Sequence, residues 1–209
     1  MIKVHYIFDP MCGWCYGASS LLSQLQEMDD IGLELHPGGM IQRAPLSADF
    51  RQHVLVADQQ IAIQTGQAFG EDYLKKIRSN QPMILDSYIT AQAILAVASL
   101  GLAPMAMLQL IQEAHYQYGV AVSQPEELAK LASQLGVSLA TWQGAMAEAK
   151  TQLEPKINRT RALMQQFGLS GFPSLLVEQD GQWRSLGLSE FYTKPAQWQQ
   201  FWQVQLASS

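Results

Sequence analysis

Two cysteines stand three residues apart near the start of the chain, as Cys12-Gly13-Trp14-Cys15, and they are the only cysteines present. The preceding residues, Ile2 to Phe8, read as a short buried strand ending at Asp9-Pro10. The following residues, Tyr16 to Met28, carry Leu21, Leu22, Leu25 and Met28 at helical spacing. The pair therefore falls between a strand end and a helix start. The first turn of a helix offers unpaired N–H groups and a partial positive charge, so a thiolate there is stabilised. A three-residue spacing puts both sulfurs on one face of that turn. The chemistry implied is thiol–disulfide exchange, with Cys12 at the exposed end as nucleophile and Cys15, one turn further in, as resolving thiol.

Other uses of two cysteines fit less well. Half a zinc site would need a second pair, and His5, His36, His53 and His115 show no zinc-like spacing. Two cysteines in 209 residues do not build a disulfide scaffold. Two incidental core cysteines remain the plainest alternative. Ser170-Gly171-Phe172-Pro173-Ser174 is the second signal. A proline opening a strand leaves one ladder position without an N–H. If Pro173 is cis and faces Cys12, the Phe172 backbone is free to pair with an extended substrate.

The elements that must position these residues follow from pattern. Ile31 to His36 alternates as a strand and stops at Pro37-Gly38-Gly39. Helices are predicted over Ser47 to Thr65, Asp86 to Leu100 and Pro104 to Tyr118. Met105 and Met107 read as core there, and His53 and His115 as ordinary polar positions. Ser123-Gln124-Pro125-Glu126 reads as a capping box opening a helix to about Leu135. A further helix starts near Ser138 and should break before Pro155, where another begins and ends at Gly168. No strand is predicted between residues 45 and 150. Pro173 to Glu178 and Gln182 to Leu188 form a hairpin around Asp180-Gly181. Pro195 to Leu206 is the closing helix.

This element order resembles the DsbA-like branch of the thioredoxin superfamily, and within it the FrnE-type cytosolic members. The likeness is sharp at Asp9 to Gly17 and at Leu169 to Val177. It implies an α/β thioredoxin fold formed by residues 1–44 and 155–209, with residues 45–154 as a helical insertion. It also implies a thiol–disulfide oxidoreductase or isomerase with Cys12 attacking, Cys15 resolving and Pro173 as the cis-proline. Pro37-Gly38-Gly39-Met40 resembles a loop bordering the family's active site; a plain strand-ending turn fits it equally. Gly13 and Trp14 fill the dipeptide, with no His or Pro there, so strong oxidising character is not implied. The buried acid often found six residues before the first cysteine is replaced by Tyr6. Asp9 reads as a turn residue, which leaves water as the default proton acceptor for Cys15. Trp14, Phe172, Gly13 and Met40 are the candidate substrate contacts. Trp14 and Phe172 would form apolar walls beside the sulfurs, or pack onto insertion and core.

Composition bounds the rest. The chain is 48% hydrophobic and 15% charged, with a formal net charge of −5. That suits a globular protein and argues against binding a phosphate backbone. No apolar run can span a bilayer, and the N-terminal residues do not form a secretory signal. The expectation is a cytoplasmic enzyme without cofactor, exchanging protein, peptide or small-molecule disulfides. Glutathione is the candidate co-substrate, and nucleic acid and membrane are not expected partners. Oligomeric state is open, since no heptad seam is present. Two rival readings stand beside this one. The first is a glutathione-dependent isomerase or transferase of the 2-hydroxychromene-2-carboxylate isomerase or kappa-class type. The second is a non-enzymatic thiol sensor or binding module.

Overall fold

The computed structural model describes residues 2–79 and 81–207. A four-stranded sheet has the order β2-β1-β5-β6. Strand β1 (Ile2–Phe8) runs parallel to β2 (Ile31–Pro37), with Tyr6 beside Leu35. It runs antiparallel to β5 (Ser174–Gln179), with Tyr6 beside Leu175. β5 continues into β6 (Gln182–Leu186) through Asp180 and Gly181, both at positive φ. That is the geometry a two-residue hairpin loop requires.

Side chains alternate across the central strand, so β1 has two distinct faces. Val4, Tyr6 and Phe8 face one way and pack in the core with Leu21, Leu22 and Leu25 of α2 (Ser19–Gln26). The closing helix α9 (Pro195–Ala207) completes this layer with Trp198 and Trp202, both fully buried. Trp198 Nε1 donates to the Leu21 carbonyl at 2.9 Å, which satisfies the indole inside the core. His5 and Ile7 face the opposite way, toward α8 (Leu139–Gln166). On that side burial, aided by the charge of Lys156, holds His36 down to about 4.

The structure departs from the sequence-based expectations at four points. The segment after the cysteines is two helices, α1 (Gly13–Gly17) and α2, separated at Ala18. Two short strands, β3 (Ala44–Pro45) and β4 (Ile84–Leu85), pair antiparallel where no strand between 45 and 150 is predicted. Ser123 does not cap a helix: α7 (Pro125–Gln134) has Gln124 at its N-cap position. The Ser123 side chain turns inward, 1% exposed, while its carbonyl accepts from Arg43. Finally, α8 runs unbroken through Pro155. Proline costs a helix about 3 kcal/mol in isolation, but tertiary packing can override that. Leu153 and Ile157 on either side are buried together with Ala91 of α5 (Ser87–Ser99), so the helix is clamped where proline would break it.

Elsewhere the local signals act as their chemistry requires. Ser47 accepts from the Phe50 N–H and opens α3 (Ala48–Thr65), which ends at Gly66 in the left-handed region. Asp86 caps α5 by accepting from the Tyr88 and Ile89 N–H groups. Met105 and Met107 of α6 (Pro104–Tyr116) are core residues. α4 (Glu71–Arg78) lies between α3 and β4 in the chain. Among the described residues, most buried side chains of the sheet and of the helices form one cluster, and Ala91, Leu153 and Ile157 form a second, small one.

Candidate active site

The site is built where β1 ends. Cys12 has extended backbone geometry and takes the N-cap position of α1, and Cys15 lies in that helix. Both are free thiols. Cys15 is fully buried, and Cys12 is only 7% exposed, so the expected exposed nucleophile is instead largely covered. Helix α3 packs against α1 beside it. Gly13 allows that approach: a methyl there would meet Ile61 Cδ1 at 2.9 Å and Asp58 Oδ1 at 3.1 Å.

The two thiols are electrostatically unequal. The Cys12 thiol is lowered, chiefly by its hydrogen bond with the Cys15 side chain, with the Cys15 and Trp14 N–H groups adding to it against the cost of burial. Burial pushes the Cys15 thiol well up, and its bond to Cys12 adds to that. Of the two thiols, Cys12 is therefore the one that gives up its proton first, and Cys15 the one that keeps it. The helix behind Cys12 is one short turn, so individual N–H groups do the stabilising rather than a long helix dipole.

Across the site, the Phe172–Pro173 peptide bond is cis. The Phe172 carbonyl oxygen lies 3.6 Å from Cys12 Sγ. The Phe172 ring packs over Gly38, where any Cβ would collide with it. Trp14 stacks on Tyr192, with centroids 6.2 Å apart, and borders the cleft. Met40 is 44% exposed at the rim. A cavity of about 270 Å³ opens beside Cys12, walled by Met40, Phe50, Val54, Ile61 and Trp14. Its walls are mostly apolar, with polar groups from Asp58, His53, His115, Tyr73 and Tyr116.

Several residues of the site carry no signal in the sequence pattern. Asp9 is fully buried. Its Oδ1 accepts from the Met11 N–H at 2.9 Å and from the Ser87 hydroxyl at 2.6 Å; its Oδ2 accepts from the Met40 N–H at 2.6 Å. One carboxylate thus ties the cysteine loop to the 38–40 segment and to the start of α5. Burial raises its pKa despite these three donors. Its own N–H points at Cys15 Sγ from 3.5 Å. Arg161 of α8 braces the same segment by donating to the Gly38 and Gly39 carbonyls. Asp58 is buried against Tyr73, whose hydroxyl donates to it at 2.8 Å, and burial lifts its pKa to about 6. His115 is buried in the cavity wall and held down to about 4 by burial, so it is no ordinary surface position. A strand-ending Asp-Pro before paired cysteines is the only hint that could have raised Asp9; Asp58, Tyr73 and His115 come from the insertion and have none.

A buried CxxC pair at the end of a central thioredoxin-type strand, facing a proline-bearing loop, defines a redox-active thioredoxin-fold protein. Residues 3–193 match the DSBA-like thioredoxin domain, and the chain belongs to that family. It is a DsbA-like thiol–disulfide oxidoreductase. Among solved structures it is similar to the cytosolic disulfide reductase DsbM from Pseudomonas aeruginosa. The two share 34% identity over 99% of this chain and 100% of that one, with a TM-score of 0.92. The structure of that reductase with GSH gives 33% identity over 98% and 99% of the two chains, with a TM-score of 0.90. A protein from Nitrosomonas europaea is 25% identical over 98% of each chain, with a TM-score of 0.76. A 2-hydroxychromene-2-carboxylate isomerase shares the fold alone, at 11% identity over 99% of each chain and a TM-score of 0.62. Among curated proteins none matches the chain. Among the described residues no helix is long and apolar enough to cross a membrane.

Proposed function

We propose that the protein is a cytoplasmic disulfide reductase that uses glutathione as co-substrate. The asymmetry of the cysteine pair supports disulfide exchange, with a lowered Cys12 thiol at the wall of the cleft backed by a protonated Cys15; the direction of exchange rests on the similarity to a disulfide reductase. The Cys12 thiolate attacks one sulfur of a protein, peptide or small-molecule disulfide. A Cys12–substrate disulfide forms, the substrate disulfide breaks, and the leaving thiolate takes up a proton. Cys15 then loses its proton and attacks the Cys12 sulfur. The mixed disulfide breaks, the second substrate thiol leaves, and two electrons have passed from the pair to the substrate. Two glutathione thiols would restore the pair by the reverse exchange.

In this mechanism Pro173 and the Phe172 carbonyl hold the substrate backbone opposite Cys12, while Gly13, Trp14 and Met40 border its path. Residues 45–154 act as the insertion that supplies the apolar wall. The similarity to a disulfide reductase at 34% identity over nearly the whole of both chains favours reduction. The GSH complex of that relative supports the choice of co-substrate. The glutathione-dependent isomerase reading rests on likeness of fold alone and is set aside.

The test is the equilibrium redox potential, read by trapping free thiols across a glutathione series and weighing the product. The expected result is one two-electron transition near about −270 mV, the range of a reductant. A potential near about −120 mV would make it an oxidant instead. Failure to form a Cys12–Cys15 disulfide at any ratio would overturn the reading.

A further inference from the structure

On the far side of the sheet from Tyr6, three donors from two parallel strands converge. His5 stands beside Glu34 in the β1–β2 register, and His36 lies two residues further along β2. His5 Nδ1 and His36 Nε2 are 3.0 Å apart. The Glu34 carboxylate straddles them, with Oε2 3.6 Å from His5 Nδ1 and Oε1 3.5 Å from His36 Nε2. Two ligands at about 2.0–2.1 Å from a tetrahedral Zn²⁺ sit about 3.3 Å from each other. The two nitrogens lie close to that separation, each carboxylate oxygen lies close to it from one nitrogen, and one ligand atom from each of the three residues falls within 4.8 Å of the others. We propose that His5 Nδ1, His36 Nε2 and the Glu34 carboxylate form a binding site for a divalent first-row transition cation of the Zn²⁺ type, separate from the cysteine pair.

The surroundings fit a built site. The second nitrogen of His5, Nε2, lies 3.2 Å from Glu178 Oε2. A carboxylate only accepts, so Nε2 is the donor to Glu178 and Nδ1 is the acceptor from His36 Nε2; a bound cation would take the place of that shared hydrogen. This carboxylate–histidine arrangement is the outer-shell support that fixes tautomer and ring direction in metal sites. Trp183 stacks on the His5 ring, with centroids 4.5 Å apart, and holds it in place. Both histidines are buried, while the Glu34 side chain is 52% exposed and gives a cation its way in. Two imidazoles with one carboxylate select Zn²⁺ and its transition-metal neighbours over Ca²⁺ or Mg²⁺, which favour all-oxygen sets. The Lys156 ammonium, 3.7 Å from Glu34 Oε1, is the competing cation, and a bound metal takes over its partner. A cation here would pin β1 to β2 just before the two segments that carry Asp9–Cys15 and Gly38–Met40.

The experiment uses the full chain with Cys12→Ser and Cys15→Ser, so thiolates cannot bind the metal and the redox reading is not at stake. Zn²⁺ is titrated in competition with a chromophoric chelator, and Co²⁺ by its visible absorption. One equivalent should bind per chain, and saturating Zn²⁺ should raise Tm. Glu34→Gln, at a half-exposed position that keeps the fold, should weaken binding at least tenfold, as should His36→Ala. Lys156→Met should tighten it by removing the competing charge. Absence of saturable binding would overturn the proposal. So would binding that Glu34→Gln and His36→Ala leave unchanged, or that Lys156→Met fails to strengthen.

Discussion

The Cys12 sulfur faces the carbonyl oxygen of Phe172 across 3.6 Å, although 160 residues separate the two in sequence. The proposed nucleophile and the backbone proposed to hold its substrate are thus direct neighbours. Cys15 lies behind Cys12, out of reach of solvent. This order of access separates their roles. Cys12→Ser is expected to abolish disulfide exchange, and Cys15→Ser to accumulate mixed disulfides that mass spectrometry resolves as one substrate thiol added per chain. Wild-type turnover by Cys12→Ser protein would exclude the mechanism.

Asp9 holds three donors from three segments, and its charge opposes thiolate formation at both cysteines. Asp9→Ala leaves those buried donors without their acceptor, at about 1–3 kcal/mol each before relaxation. A loss of about 3–5 kcal/mol in urea unfolding is expected, with a smaller loss for Asp9→Asn. Asp9→Asn also removes the negative charge, so the Cys12 thiol should titrate lower than in the wild type. Thiolate absorbance against pH measures this, and an upward shift would contradict a charge effect.

Gly38 lies under the Phe172 ring, with no room for a Cβ. Gly38→Ala must push that ring aside, and overpacking of this kind costs about 1–3 kcal/mol. Because Phe172 also carries the carbonyl facing Cys12, exchange activity should fall along with stability. Gly171→Ala is the control: a methyl there meets nothing within 4 Å, and both properties should be retained.

Asp58 makes a pH-dependent contribution whose sign is fixed by its raised pKa. Its folded value of about 6 lies above the ordinary 3.8, so between those values the native state holds more protons than the unfolded chain. Stability from this group is therefore lost as pH rises through that window. Two units correspond to about 1–3 kcal/mol at neutral pH. Asp58→Asn, which can still accept from Tyr73, should be more stable than the wild type by this amount at pH 7. The advantage should vanish below about pH 4. Thermal unfolding across pH 3.5–7.5 tests it, and a gap that stays constant with pH would contradict the assignment.

Much of this protein is legible in its sequence because the signals are local. The period-two and 3.6-residue patterns gave the sheet strands and most helices. Gly66, Gly168 and Asp180-Gly181 mark ends at positive φ, which few residue types adopt, and Ser47 marks a helix start through its side-chain cap. The Cys12-Gly13-Trp14-Cys15 spacing needs nothing beyond four neighbours to announce thiol chemistry. Local rules misled where packing outweighed them. Pro155 should end a helix, yet the helix continues through it with Leu153 and Ile157 buried on either side. Ser123 should cap one, yet its side chain is drawn inward and Arg43 takes its carbonyl.

What the sequence determined by itself is the chemistry available: two thiols three residues apart after a buried strand, in a chain with apolar content enough to fold. The tertiary structure decided how unequal those thiols are and what surrounds them. Desolvation is a property of everything packed around an atom, so Cys15 could be recognised as the protonated partner only once α3 and the sheet enclosed it. Asp9, Asp58 and Phe172 reach the site from separate elements. His5 and His36, 31 residues apart, meet only because parallel pairing sets one beside the other's strand. Such contacts depend on register and crossover, which no short stretch of sequence encodes.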